Sequence, residues 1–228
     1  FSKGSVFFIP LVDADWHGAF FEVLKILYWF EQNSVKEELE KYEIKTGTSG
    51  VDVPLDEHTI LRADTFARGM EQRKPNEKQY QKDGRNIRKR TDTGKKAELA
   101  VEQIIQETYT DDTISDTSEH NHPDLKSLGM KMGVKGVTPP YFPVIFKESK
   151  IPEIIAIVFP THVKVLGVAT VDNLNAFQWD NGIGDPNLRK KRTKTTFWNF
   201  ETIIPFRSRK QLEEIYHFTR LGYYIDWG

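Results

Sequence analysis

The sequence predicts an α/β fold: a central mixed β-sheet of four or five strands, helices on its faces, and an N-terminal helical lobe. Three observations carry this. Residues 95–108 have a clear helical period, and two β-branched apolar runs, 153–159 and 163–170, follow them in the chain. A second helical pattern, over residues 15–32, precedes all of these. The 228 residues suffice for one large domain or for a compact core with an appended lobe.

Residues 1–11 read as a strand or an extended arm. Over 15–32, Phe20, Val23, Leu24, Leu27 and Phe30 form an apolar stripe, widened by Phe21, Ile26 and Trp29, which predicts a helix buried on more than one side. Ser34 with Glu37 three positions on resembles a capping box, so residues 34–42 extend this helix or start another. Gly, Thr and Ser interrupt the pattern over 47–54. Residues 56–93 are very polar and read as one helix over 56–72 followed by a loop. In the helix of 95–108, Ala97, Val101, Ile104 and Ile105 share a face. A polar loop fills 110–123. Residues 125–137 read as a strand bent at Gly129 and Gly133, and 143–146, 153–159 and 163–170 as further strands, the last two central. A short helix over 172–177, a Gly- and Lys/Arg-rich loop over 180–194, and a closing helix over 209–221 complete the chain. Leu212, Ile215, Tyr216 and Leu221 form the apolar side of that last helix. The expected division lies near Thr93, giving regions 1–93 and 94–228.

Composition narrows the function. Hydrophobic residues at 38% and charged residues at 29% indicate a globular chain rather than a disordered one. No apolar run reaches the roughly 18 residues that a membrane span requires. Residues 1–12 lack a basic start and a small-residue cleavage site, so they are not read as a signal peptide. The absence of cysteine excludes disulfides, iron–sulfur clusters, thiolate zinc sites and a cysteine nucleophile. It fits a reducing compartment, and the expected location is cytoplasmic. The net charge of −1 makes the distribution of charge more informative than its sum.

Phosphodiester hydrolysis needs carboxylates to hold a divalent metal and a cation beside the attacking water and the charge that develops on phosphorus. The sequence offers Asp124 ahead of a strand, Lys135 eleven positions later, and Glu98 at the edge of the apolar helix face. The order resembles the PD-(D/E)XK nucleases, the restriction-endonuclease-like fold. The matching pieces are Gly94-Lys-Lys-Ala-Glu98-Leu-Ala-Val at a helix start, Pro123-Asp124 before a strand, Gly133-Val134-Lys135, and the strand pair ending in LGVAT. They cover about residues 95–177. The resemblance implies a Mg²⁺-dependent hydrolase, with Mn²⁺ as a substitute, in which Asp124 binds the metal and Lys135 orients or polarises the water. It further implies the Val134 carbonyl as a ligand. The family's second acid falls at Gly133, which has no side chain; Glu98 from the helix is expected to replace it. The literal tripeptide Glu148-Ser149-Lys150 is a rival match, less favoured because it abuts Pro152 and reads as a turn.

Two basic clusters flank this segment. Arg85, Arg88, Lys89, Arg90, Lys95 and Lys96 precede it; Arg189, Lys190, Lys191, Arg192 and Lys194 follow it, with Phe197 and Trp198 just after. Such residues contact phosphates, and Arg also reads guanine edges. Double-stranded DNA is therefore the expected partner, with region 1–93 reading sequence and 94–228 cutting. A twofold-symmetric target would call for a homodimer. The acidic residues Asp111, Asp112, Asp116 and Glu119 are expected to turn away from DNA or to assist the metal. His120-Asn121-His122 spells a nuclease motif whose real form is spread over a longer unit, so it is read as loop. Competing readings are a non-catalytic DNA-binding protein on this fold, a structure-selective phage or mobile-element nuclease, and a protein-interaction domain with merely solvated charges.

Overall fold

In the computed structural model, residues 50–73, 87–113, 123–184, 189–190 and 192–220 are described. All of them fall in one compact unit, whose boundary lies between Glu40 and Lys41. The elements expected before residue 50, and Leu221 at the end of the closing helix, lie outside the described residues.

The protein is α/β, with a mixed sheet flanked by helices. The central sheet holds β1 (Val51–Pro54), β2 (Gly133–Val137), β4 (Glu153–Val158) and β5 (His162–Ala169), in the order β1-β5-β4-β2. β1 pairs antiparallel with β5 and β5 with β4, whereas β4 and β2 run parallel. Every residue of β4 is buried, because its alternate positions serve two cores. Ile154, Ala156 and Val158 join Ala97, Ala100 and Val101 on one face; Ile155 and Ile157 join Ile145, Leu174 and Phe197 on the other. Burial on both faces explains why EIIAIV reads as a continuous apolar run.

Helix α2 (Ile87–Ile105) packs on the first face, and helix α1 (Glu57–Arg73) packs against α2. Asp56 caps α1 by accepting the Thr59 N–H at 2.7 Å. Ion pairs tie the helices, Arg88 to Asp64 at 2.5 Å and Arg62 to Glu102 at 2.9 Å. Gly136 sets how closely α2 approaches the sheet, since a Cβ there would lie 2.7 Å from the Thr93 carbonyl oxygen and 2.8 Å from the Ala97 Cβ. On the second face lies a two-stranded antiparallel sheet of β3 (Val144–Phe146) and β6 (Lys194–Thr196). Helix α3 (Val171–Ala176), whose Thr170 hydroxyl accepts the Asn173 N–H at 3.2 Å, packs Leu174 beneath it. Helix α4 (Arg209–Arg220) buries Leu212 and Ile215 in the first core.

Several expectations are corrected. α2 begins at Ile87, so the division expected near Thr93 falls inside a helix, and residues 51–73 belong to the same compact unit as the sheet. Thr93 is accommodated because its hydroxyl donates to the Lys89 carbonyl at 2.9 Å. The helix also ends earlier than expected, at Gln106 with φ 56°, where the Glu102 carboxylate accepts the N–H groups of Tyr109 and Thr110. Residues 51–54 form a strand rather than a break. The strand expected over 125–137 is only Gly133–Val137: Leu125 is an anchor in the core, Lys126–Leu128 is a 3₁₀ turn, and Gly129 closes it at φ 79°. Residues 143–146 join β6 and not the central sheet, and Lys194 opens a strand rather than closing a loop. No described helix is long and apolar enough to cross a membrane.

Candidate active site

The register of the parallel pair builds the site. Gly133 donates its N–H to the Pro152 carbonyl at 3.1 Å, which turns the next N–H, that of Val134, to the outer side of β2. Asp124 Oδ2 accepts that N–H at 2.6 Å, so the carboxylate is fixed against the strand that carries Lys135. Burial pushes the Asp124 carboxyl above its ordinary range; the Val134 bond and the ammonium groups of Lys135 and Lys95 oppose this.

Gly133 and Lys135 share a face of β2 with Val137, which packs in the second core. Glu153, the register partner of Gly133, shares the corresponding face of β4 with Ile155 and Ile157. Its Oε1 lies 3.6 Å from Lys135 Nζ. A Cβ built on Gly133 would meet Glu153 Oε2 at 2.1 Å and its Cδ at 2.9 Å. The carboxylate of Glu153 therefore occupies the space where a side chain at position 133 would begin. It is buried, and its Oε2 has no hydrogen-bond partner. Burial raises its pKa to about 7, against the pull of Lys135, with the Asp124 charge adding to the rise.

Glu98 stands on the other side of Asp124. It projects from α2 with its Oε2 3.5 Å from Lys95 Nζ, and burial, then the charge of Asp124, raises it to about 7. Its charged neighbours are Asp124, Lys95 and Glu102, whereas those of Glu153 are Lys135, Asp124 and Lys194. Asp124 is the common member. The acid beside Lys135 is thus Glu153, where the sequence suggested Glu98. Val134 buries its side chain in the first core while its N–H holds Asp124. Glu148 and Lys150 are exposed in a turn in which Ser149 N–H donates to Asn175 Oδ1 at 2.9 Å, so the rival tripeptide lies apart from these groups.

Lys95 is fully buried, 2.6 Å from Asp112 Oδ1 and over the ring of Phe66 at 4.6 Å. Arg62 grips the same Asp112 and donates to the Thr110 hydroxyl. Asp112 therefore closes a clasp between α1, α2 and the segment leading toward Asp124. Asp111 is turned to Thr113, accepting its N–H at 2.8 Å. Asp116, Glu119, His120 and His122 lie outside the described residues.

No known family model, curated protein or solved structure matches this chain.

Among the described residues, no three His, Cys, Asp or Glu side chains converge into a closed metal shell. The donors present nevertheless fit a hard cation: two carboxylates, one with an unpartnered buried oxygen, suit an ion such as Mg²⁺ that keeps several of its own waters. The basic clusters divide into two kinds. Arg88 is held by Asp64, Lys96 by Asp92 at 2.7 Å, Lys95 by Asp112, and Arg189 by the Ile183 carbonyl at 2.7 Å. Lys89, Arg90, Lys190 and Arg192 are exposed, and Lys194 lies over Phe146. Arg85 and Lys191 lie outside the described residues. Sequence reasoning missed Glu153. The only available signal was one charge opening an otherwise apolar strand, since its proximity to Gly133 depends on a register that sequence does not display.

Proposed function

We propose that this protein is a metal-dependent DNA endonuclease of the PD-(D/E)XK kind, with Asp124, Glu153 and Lys135 as its working groups. The observation that carries the reading is the buried, unpartnered Glu153 Oε2 above Gly133, beside Lys135 and within the field of Asp124. An unpaired carboxylate oxygen held in the core is costly unless a ligand completes it. Position 133 lacks the second acid, and the Glu153 carboxylate above it supports the catalytic reading over a non-catalytic protein on this fold.

Asp124 and Glu153 would hold the cation, and Glu98 on the far side of Asp124 would tune its charge. When bound, a Mg²⁺ or Mn²⁺ ion supplies charge neutralisation and a more acidic water. The Lys135 ammonium stabilises the charge that develops on the phosphoryl oxygens and orients the attacking water. The water oxygen forms a new bond to phosphorus, one ester P–O bond breaks, and the leaving oxygen takes up a proton. Restriction-type cleavage of duplex DNA is the form that the resemblance implies, with a homodimer for a twofold-symmetric target.

Plasmid cleavage with Mg²⁺ tests this, comparing the wild-type chain with Asp124→Asn, Glu153→Gln and Lys135→Ala. Each substitution should lower the rate at least about a hundredfold, as loss of a charge-stabilising group does. Calorimetric titration of Mn²⁺ should show weakened binding for the two carboxylate variants and not for Lys135→Ala. Equal nicking by all four proteins would overturn the assignment.

A further inference from the structure

We propose that the outward face of the β3–β6 sheet is a stacking platform for a single-stranded stretch of DNA adjoining the cleavage site. This rests on the nuclease reading for the identity of the neighbouring site, but the surface carries its own evidence.

The register fixes which side chains face out. Ile145 and Thr195 are paired and buried, so their neighbours Phe146 and Lys194, paired with each other, point the other way. Phe146 is 52% exposed, and Lys194 Nζ sits 3.1 Å from its ring centroid. The backbone of Trp179 is tied to Thr196: its N–H donates to the Thr196 carbonyl at 2.9 Å, and the Thr196 hydroxyl donates back to the Trp179 carbonyl. Its ring packs edge-on against Phe142 yet remains 46% exposed. Beyond the strand end, Trp198 donates its N–H to the Phe177 carbonyl at 3.3 Å and keeps its ring 45% exposed. Three large aromatic rings are thus anchored at this sheet by their backbone bonds or ring contacts and are about half exposed, with Lys194 lying over one face of Phe146.

The occupant follows from charge and chemistry. Lys190 and Arg192 are exposed in the approach to β6 and Lys194 lies over Phe146, so along the chain cationic residues lead into the aromatic ones. Of the acids near this sheet, Asp180 is paired with Lys147 at 2.6 Å, and Glu148 is exposed in the turn after β3. A polyanion with flat, unpaired bases matches this pattern, whereas a duplex hides its base faces. The β3–β6 layer lies on the same side of the central sheet as the candidate site. β3 and β6 cover the second face of the central sheet, the face that Glu153 and Lys135 share, and the Lys194 ammonium acts on Glu153. Helix α2 covers the opposite face.

The test uses the full chain in EDTA with a fluorescent oligo-dT of about 12 nucleotides and a hairpin duplex, read by anisotropy; one OB-fold's span of ~4–16 nucleotides sets that length. Phe146→Ala and Trp198→Ala should each weaken oligo-dT binding about tenfold and leave the hairpin unchanged, while Phe146→Tyr should bind as wild type. Unchanged oligo-dT affinity in both alanine variants, or an equal loss for hairpin and oligo-dT, would overturn the platform. So would loss of self-association in sedimentation with no change in DNA binding, which would make the face a contact between copies. The plasmid assay keeps the two readings apart. Cleavage that needs Asp124, combined with oligo-dT binding indifferent to the aromatics, sinks only the platform. Aromatic-dependent binding in a protein that never cleaves sinks only the nuclease.

Discussion

Gly133→Ala separates a role in chemistry from a role in folding. The new methyl would lie 2.1 Å from Glu153 Oε2, far inside van der Waals contact. The strands cannot part to relieve it, because Gly133 and Glu153 are register partners and the Gly133 N–H is tied to Pro152. The far end of the glutamate must therefore swing aside. An off-rotamer side chain costs about 0.5–1.5 kcal/mol and local overpacking about 1–3 kcal/mol. At about 2–4 °C per kcal/mol for a chain of this size, the melting temperature should fall by roughly 3–18 °C, and cleavage is to be read below the variant's melting transition. A carboxylate displaced by about 1 Å or more should slow cleavage on the order of a hundredfold. The assay pairs a thermal melt with initial rates of plasmid cleavage at saturating Mg²⁺. A folded Gly133→Ala protein that cleaves within threefold of wild type would refute the reasoning. Gly133→Asp combined with Glu153→Ala moves the acid back to β2 and should recover part of the lost rate.

Three further outcomes follow from the same geometry. Because the Glu153 carboxyl titrates at about 7 instead of 4.5, the folded state binds its proton more tightly than the unfolded chain. This contribution is complete below pH 4.5 and is lost as pH rises through 7, by at most about 3 kcal/mol at pH 8. In EDTA, Glu153→Gln should therefore melt higher than wild type at pH 8 and equally near pH 4; a gain that is the same at both pH values counts against it. Gly136→Ala meets backbone and Ala97 at 2.7–2.8 Å, so it should lower the urea midpoint by an amount equivalent to about 2–3 kcal/mol. Finally, replacing Lys190 and Arg192 by alanine should flatten the salt dependence of DNA binding by about one charge each, whereas Arg88→Gln should leave the slope unchanged because Asp64 already holds Arg88. Equal slopes for all three variants would remove the exposed pair from the interface.

The parts legible in the sequence were those governed by local period. The stripe Ala97, Val101 marked α2, and the β-branched runs marked β4 and β5; Lys135, read as a strand residue, stands in the middle of β2. What stayed hidden depended on distant pairing. β1 is a four-residue strand that becomes one only by pairing with β5, more than a hundred positions on. Gly94 hid eight helical residues, because a glycine in a helix interior is tolerated when both sides of it pack. The acid beside Lys135 was invisible for the same reason: Glu153 reaches Gly133 only through a parallel register set by the intervening crossover.

The bond from Val134 N–H to Asp124 has a consequence for handling the protein. β2 is the outer strand of the described sheet, and a bare strand edge is a template on which other chains can pair. The Asp124 side chain stoppers that edge at one of its outward amides. Asp124→Asn keeps an accepting oxygen there, but Asp124→Ala leaves the amide bare. Aggregation of the alanine variant during purification would then reflect an unguarded edge, and asparagine is the better substitution for testing the proposed role of Asp124.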